Sequence, residues 1–340
     1  MGKYRALIIG TGSAGTHVMN EMKGDGRAEP VAFVETRMER IEQLEREYPD
    51  AIIGTDYAEV LRDSAPDVVV DAGPDFLHGP QCLAALEAGC HVLIEKPMAT
   101  TVEDVEKLLE AEKRTRKIIM VDYTMRYSHP WGTMMQAARD GRIGKIFYLA
   151  GFYIHDMWNW YDENGKCPTP WRIDDDNPQN ILFGGGCHGL DMVLYVMEDD
   201  PVTEIYCCGN RLSGSNMPIE DCFLVSMKFA SGAVGKVFVT SGCNRGDGVG
   251  SGRMFEAYGT DGTLVDGKLL RRTSEPELLT RSDKIQKGHG WNLTVRDFLD
   301  VLDGKRENWM NSTFGARNVS ICDAAMRSLR SGNVAPVTWF

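Results

Sequence analysis

Six residues near the N-terminus, Gly10-Thr11-Gly12-Ser13-Ala14-Gly15, constrain this chain more than any other stretch. They follow an apolar run, Tyr4-Arg5-Ala6-Leu7-Ile8-Ile9, and open a helical stretch near 14–23. A strand that turns on G-x-G-x-x-G into a helix is the fingerprint of a dinucleotide-binding fold. The surrounding pattern supports it. Apolar runs at 30–34, 51–53, 67–72, 91–94 and 118–121 read as buried strands, with helical stretches near 37–48, 57–63, 79–88 and 101–116 between them. Such alternation over short loops predicts an α/β doubly wound parallel sheet, a Rossmann domain over residues 1–123.

Glu35 stands at the end of the second predicted strand, twenty residues after Gly15. An acidic side chain there accepts hydrogen bonds from a ribose 2′-hydroxyl and repels a 2′-phosphate, which favours NAD over NADP. Arg37 leaves NADP open, because a nearby arginine accommodates the extra phosphate. The candidate cofactor-binding set is Gly10, Gly12, Ser13, Ala14, Gly15, Glu35, Thr36, Arg37, Gly73, Pro74, His78, Glu95, Lys96 and Arg126.

The heptapeptide His91-Val92-Leu93-Ile94-Glu95-Lys96-Pro97 reads as a short buried strand ending in a cation beside a proline. Ligands of open α/β sheets bind beyond the carboxyl ends of the strands. Lys96 therefore stands where a substrate would meet a nicotinamide ring, which points to hydride transfer.

After about residue 123 the pattern changes. Helix signals lie around 129–140, 187–197, 291–303 and 315–330, and strands at 145–155, 203–210, 221–229, 233–241, 253–259 and 263–270. Grouped strands with short turns predict a C-terminal α+β domain, residues 124–340, with a largely antiparallel open sheet and helices on one face. Strands such as Phe223-Leu224-Val225-Ser226-Met227 and Val234-Gly235-Lys236-Val237-Phe238-Val239 look too apolar to face water on both sides, so a homodimer or homotetramer is expected.

Gly184-Gly185-Gly186-Cys187-His188-Gly189-Leu190-Asp191 is the second informative stretch. Leu190, Val193, Leu194 and Met197 share one helical face, so a helix is expected to start at Gly186–Cys187 with His188 in its first turn. The positive end of a helix disfavours imidazolium, which suits His188 to accept a proton, with Asp191 three residues on to orient the ring. The three glycines imply close approach of backbone to something. The duller reading is a histidine that only caps a turn.

Between 155 and 172, Trp158, Trp160, Tyr161 and Trp171 are interleaved with His155, Asp156, Asp162 and Arg172. Aromatic faces beside hydrogen-bonding groups suit a sugar ring, and equally an oligomer interface. His155, Cys187, His188 and His289 lack zinc-ligand spacing, so no metal is expected. No G-x-S-x-G elbow or P-loop is present, which excludes those hydrolase and NTPase classes.

A net charge of −12 argues against nucleic acid or an anionic membrane as partner. No apolar run approaches the ~20 residues that span a bilayer, and the chain opens directly on a strand with no room for a signal peptide. Ala6 stands where a myristoylation motif wants Ser or Thr. Nine cysteines without C-x-x-C read as reduced thiols of a cytoplasmic protein.

With these pieces assembled, the chain resembles the Gfo/Idh/MocA oxidoreductases, the group of glucose–fructose oxidoreductase and inositol dehydrogenase. The likeness rests on Gly10–Gly15, Glu95-Lys96-Pro97, Tyr123-Thr124-Met125-Arg126-Tyr127, Gly141-Arg142-Ile143-Gly144, and Gly186-Cys187-His188 with Asp191. It implies that Lys96 and His188 are the catalytic pair holding the hydroxyl being oxidised. Relatives commonly carry an aspartate four residues before that histidine; this chain has Gly184, with Asp174, Asp175, Asp176 or His155 as nearby substitutes. The segment Gly288-His289-Gly290 resembles one in glycoside-handling members. The candidate substrate-binding set is Lys96, Tyr123, His155, Trp158, Trp171, Arg172, Cys187, His188, Asp191 and His289.

The expected function is NAD-dependent hydride transfer at a secondary hydroxyl of a sugar, glycoside or cyclitol. Two alternatives stay open at this level: a redox-neutral enzyme of glycosidase or epimerase type that retains its NAD, and a dinucleotide-binding regulator without catalysis.

Overall fold

The computed structural model describes residues 2–161, 169–244, 254–281, 285 and 289–340. Asp162, Arg253 (the first residue of the strand expected at 253–259) and Gly288 lie outside the described residues. The chain divides into two compact units: residues 1–123 with 291–316, and residues 124–290 with 317–340.

The first unit is built on six strands: β1 (Tyr4–Ile9), β2 (Ala28–Val34), β3 (Ile52–Gly54), β4 (Val68–Asp71), β5 (His91–Ile94) and β6 (Ile119–Val121). They are parallel in the order β3-β2-β1-β4-β5-β6. Val68-Val69-Val70 and Val92-Leu93-Ile94 are apolar without alternation because both faces of the sheet are covered. Each such side chain contributes roughly 1.5–3 kcal/mol on burial. Helices α1 (Ser13–Asp25), α2 (Met38–Glu47), α3 (Tyr57–Ser64), α4 (Asp75–Glu87) and α5 (Val102–Thr115) make the crossovers. Local chemistry sets their ends. Asp56 and Thr101 accept N–H bonds from Glu59 and Asp104 at the starts of α3 and α5, and Gly26 closes α1 at φ 81°. Strand order reverses between β1 and β4, the switch point where such sheets bind ligands.

The second unit holds α6 (Trp131–Arg139), β7 (Ile146–Ile154), α7 (Cys187–Val196), β8 (Val202–Asn210), β9 (Cys222–Phe229), β10 (Val234–Thr240), β11 (Phe255–Gly259), β12 (Thr263–Val265), β13 (Lys268–Arg271), β14 (Ser274–Leu278) and the short β15 (Ala335–Pro336). The sheet order is β14-β13-β12-β11-β7-β10-β9-β8-β15, antiparallel except where β7 meets β10. Strict alternation in β9 puts Phe223, Val225, Met227 and Phe229 on the covered face and leaves Leu224, Ser226 and Lys228 exposed. The strand expected at 263–270 is two strands. Asp266 and Gly267 both adopt positive φ, 49° and 76°, and so form a tight two-residue hairpin turn.

The last two helices are α8 (Trp291–Leu302) and α9 (Ser312–Ser331). The expected second domain ran unbroken to 340, yet residues 291–316 pack with the first unit. Trp291 stacks on His17 at 4.4 Å, Arg27 pairs with Asp300 and Asp303 at 2.7 and 2.9 Å, and Tyr4 donates to Asp303. The segment before α9 closes the edge of β6: Val121 N–H donates to Met310, Asn308 donates to the Ile119 carbonyl, and Met120 bridges Asn311. Among the described residues, no helix is long and apolar enough to cross a membrane.

Candidate active site

The three glycines of the first turn have three different tasks. Gly10 needs φ 73°, and a Cβ on it would lie 2.6 Å from the Ala72 carbonyl oxygen. A Cβ on Gly15 would lie 2.0 Å from the Gly10 oxygen, so α1 and β1 pack as closely as backbone allows. Gly12 has no protein atom within 4 Å of the same position. Gly12 is the N-cap of α1, and no side-chain hydrogen bond caps the helix there. This arrangement fits a dinucleotide pyrophosphate, which backbone donors and the helix dipole would hold.

Glu35 is 5% exposed, with both carboxylate oxygens engaged. Thr11 donates to one through N–H and Oγ1 at 3.2 and 2.6 Å; Thr36 and Arg37 donate backbone N–H groups to the other. Arg37 adds its guanidinium at 2.7 and 3.0 Å, and Arg40 donates to Thr11 Oγ1. Burial pushes the Glu35 carboxyl up, but the Arg37 and Thr11 hydrogen bonds outweigh it and hold it down at about 2. A ribose hydroxyl would take over bonds that Arg37 now makes, and Arg37 is the more accessible partner, its side chain 54% exposed.

At the carboxyl ends of β4, β5 and β6 lie Gly73-Pro74, Glu95-Lys96-Pro97 and Asp122-Tyr123. His78 is buried, its ring nitrogens facing the Pro97 carbonyl at 2.7 Å and the Gly73 carbonyl at 3.2 Å. It therefore braces the two turns that frame the site. Lys96 is half-buried, Tyr123 fully buried.

In the second unit the helix carrying His188 starts earlier than expected. Asn180 accepts the Leu182 N–H with its side chain at 2.9 Å, and its carbonyl accepts from Phe183 and Gly184. A π-helical turn, Leu182–Gly186, then runs straight into α7. His188 thus lies beyond the first turn, where the dipole effect has faded, so the helix-end argument for a neutral ring does not hold. The apolar stripe from Leu190 marked only the part of the helix that packs.

Asp191 does not orient His188. Both its oxygens accept from Arg126, at 2.6 and 2.9 Å, in an ion pair buried on both sides. Arg126 and Arg139 each lie 4.4 Å from the ring of Tyr195. Arg126, expected at the cofactor, thus has its guanidinium committed to Asp191 and Tyr195.

The close neighbour of His188 is Tyr153 on β7, which sequence reasoning passed over. Its ring stacks on His188 at 6.0 Å and 23°, and its hydroxyl meets His155 Nδ1 at 3.0 Å. Burial pushes the Tyr153 hydroxyl up to about 12, against a smaller pull from Arg172. Gly185 makes the arrangement sterically feasible, because a Cβ there would sit 2.3 Å from the Tyr153 ring. A Cβ on Gly184 would meet the Gln179 side chain at 2.3 Å, and one on Gly186 would meet Val239 at 2.7 Å. Gln179 is buried and hydrogen-bonded to Arg172, whose guanidinium lies 4.6 Å from Trp171 and 5.5 Å from Trp160. The structure therefore gathers His155, Tyr153, His188, Arg172, Trp160, Trp171 and Gln179 into one neighbourhood. Cys187 is buried, its carbonyl accepting from Asn318; His289 is exposed beside Thr124; Trp158 is half-buried near Gly214.

Comparison with known proteins settles the family. The profile of the oxidoreductase family with an NAD-binding Rossmann fold matches residues 4–123, and that of the GFO/IDH/MocA C-terminal domain matches 131–265. The chain belongs to the GFO/IDH/MocA oxidoreductase family. It is 27% identical over 220 residues to 1,5-anhydro-D-fructose reductase of Ensifer adhaerens, covering 64% of this chain and 61% of that protein. It is also 27% identical over 259 residues to levoglucosan dehydrogenase of Pseudarthrobacter phenanthrenivorans, covering 68% and 63%. The match thus spans about three fifths of these two relatives. In fold it is similar to an inositol dehydrogenase homologue of Azotobacter vinelandii complexed with NAD+, with TM-score 0.82, 20% identity and coverage of 98% and 97%.

Proposed function

We propose that this member of the family transfers a hydride between a secondary hydroxyl of a sugar, glycoside or cyclitol and the nicotinamide of NAD. The observation that carries the reading is the open Gly12 cradle at the switch point of a sheet whose β5 ends in Glu95-Lys96-Pro97. The named relatives, which act on anhydro sugars, support the substrate class. When bound, the cofactor supplies the hydride acceptor. Lys96 hydrogen-bonds the substrate oxygen and stabilises alkoxide character, and His188 takes the hydroxyl proton. Tyr153 fixes the plane of His188, and His155 with Trp160, Trp171 and Arg172 lines the sugar side. That Lys96 and His188 serve one hydroxyl rests on the family resemblance.

NAD is preferred over NADP in this reading, because Glu35 ends β2 with its carboxylate beside Thr11. Arg37 and Arg40 are the residues that would instead favour a 2′-phosphate. Titration calorimetry with both dinucleotides decides it; equal or tighter NADP binding overturns the preference. The sheet face turned away from α7 exposes Tyr206, Leu224 and Val234 by 43–48%, which supports a homodimer or homotetramer that covers it. A stable monomer by light scattering at micromolar concentration overturns that. No disulfide joins the eight described cysteines, which supports a cytoplasmic setting in this reading.

The activity test is NADH formation against a panel of hexoses, glycosides and inositols. A substrate consumed with no NADH released assigns the redox-neutral chemistry; no turnover on any member leaves the regulator.

A further inference from the structure

Ile94 of β5 lies opposite Val121 of β6, so the next residue on each strand, Glu95 and Asp122, stand side by side at the sheet's carboxyl edge. The Asp122 N–H donates to the Ile94 carbonyl at 2.8 Å, which fixes this register. Asp122 is 1% exposed, and neither carboxyl oxygen has a hydrogen bond of normal geometry. The groups that reach it are Glu95 and Lys96 from the end of β5 and the hydroxyl of Thr294 from α8, itself fully buried. An ionised carboxylate in such a place costs far more than a neutral acid. Burial first, and then the like charge of Glu95, pushes the Asp122 carboxyl well above the usual carboxylate range; Thr294 and Lys96 pull it back less. Packing alone would be served better by an apolar residue in that space.

We propose that Asp122 is a positioning residue: a neutral carboxylic acid packed beside the Glu95 side chain that adds no second negative charge at the foot of Lys96 and thereby holds Lys96 at the position its work requires. The inference rests on the reading of Lys96 given above. An ionised Asp122 would set a further negative charge beside Glu95 and draw the Lys96 side chain back toward the sheet; the neutral acid does not. The proton stays on Asp122 throughout, so nothing is consumed.

Two measurements test this, one of them independent of any substrate. In the infrared spectrum of the dinucleotide-loaded enzyme at mildly alkaline pH, a protonated carboxylic-acid band should persist. It should move on 13C-aspartate labelling and be missing from Asp122→Asn. Absence of the band overturns the proposal, whether or not a sugar is oxidised. In turnover, Asp122→Ala should lower kcat about tenfold, the size expected for losing one buried polar neighbour, with dinucleotide affinity unchanged. Asp122→Asn, whose amide also donates a hydrogen, should recover most of that loss and shift the alkaline limb of the kcat–pH profile. If Asn is as slow as Ala with an unshifted profile, Asp122 is structural. If no sugar is turned over while the band is present, the neutral Asp122 stands and the hydride-transfer reading falls.

Discussion

Two glycine clusters precede helices in this chain, and they do opposite things. At Gly10–Gly15 two of the glycines are spent on backbone packing, and the middle one leaves a space that no protein atom fills. At Gly184–Gly186 all three spaces are filled by the protein's own side chains, Gln179, Tyr153 and Val239. A glycine cluster shows that something comes close to the backbone. Whether that something is a ligand or a neighbouring side chain depends on contacts remote in sequence.

The largest effects should come from the residues that each cluster serves. Lys96→Met and His188→Ala are each expected to lower kcat by about 10²–10⁴, with the dinucleotide dissociation constant little changed. If the two serve one hydroxyl as proposed, the double mutant should be scarcely slower than the worse single. Near-native turnover of His188→Ala would remove the second cluster from the chemistry and make His155 the first candidate base.

The next test separates the two uses of glycine inside the first cluster. Gly15→Ala must displace the Gly10 carbonyl, so a loss on the order of 1–3 kcal/mol and a clearly lower melting temperature are expected. Gly12→Ala meets no protein atom and should melt like the parent, yet bind NAD at least about tenfold more weakly, as a methyl replaces the closest approach of phosphate. Equal NAD affinity in Gly12→Ala would mean the open space is not the pyrophosphate site.

In the second cluster, Gly185→Ala should push Tyr153 off His188 and lower kcat about tenfold without touching dinucleotide binding, an effect sized like the loss of one buried contact. Gly184→Asp introduces the carboxylate that the family resemblance leads one to expect, but it must first evict Gln179. It should alter the pH profile and leave the fold intact, as steady-state kinetics and circular dichroism would show.

Much of the first cluster's surroundings was readable because the signals are local. The six strands fall within one residue of the apolar runs, apart from the start of β2, which comes two residues earlier, since a strand buried on both faces writes itself as consecutive Val, Ile and Leu. Gly10, Gly12, Gly15 and Glu35 follow from spacing alone. The second cluster was harder. Tyr153 and Gln179 reach the glycines from other elements, and no periodicity encodes that. Asp191 shares a helix face with His188, yet Arg126, 65 residues away, claims it. Asp122 left one trace: an acid directly after the apolar run that neighbours the Glu-Lys-Pro strand. Helix α8 was found, but its amphipathic stripe does not say which sheet it covers.

The smallest expected effect concerns acid pH at the first cluster. Glu35 titrates at about 2 in the folded chain against an ordinary 4.5, so the native state favours its charged form. Its stabilising contribution is complete above the ordinary value and fades as pH falls through the lower one. Melting temperatures of the parent and Glu35→Gln should therefore converge as pH drops from 4.5 toward 2. A gap that stays constant would show that Glu35 acts by shape rather than charge.

The return of residues 291–316 to the first unit carries a consequence for how the protein is made. Synthesis runs from the N-terminus at about 5–20 residues per second, so the ribosome works for roughly ten seconds or longer between Tyr123 and Trp291. Over that time β6 has an open edge, Arg27 lacks Asp300 and Asp303, and His17 lacks its stacking partner. The dinucleotide-binding unit starts to emerge before the sheet of the second unit and is finished only after strands β7 to β14 of that sheet have emerged. A nascent chain stalled before residue 291 should be nicked by protease near β6, whereas one extended past residue 316 should resist.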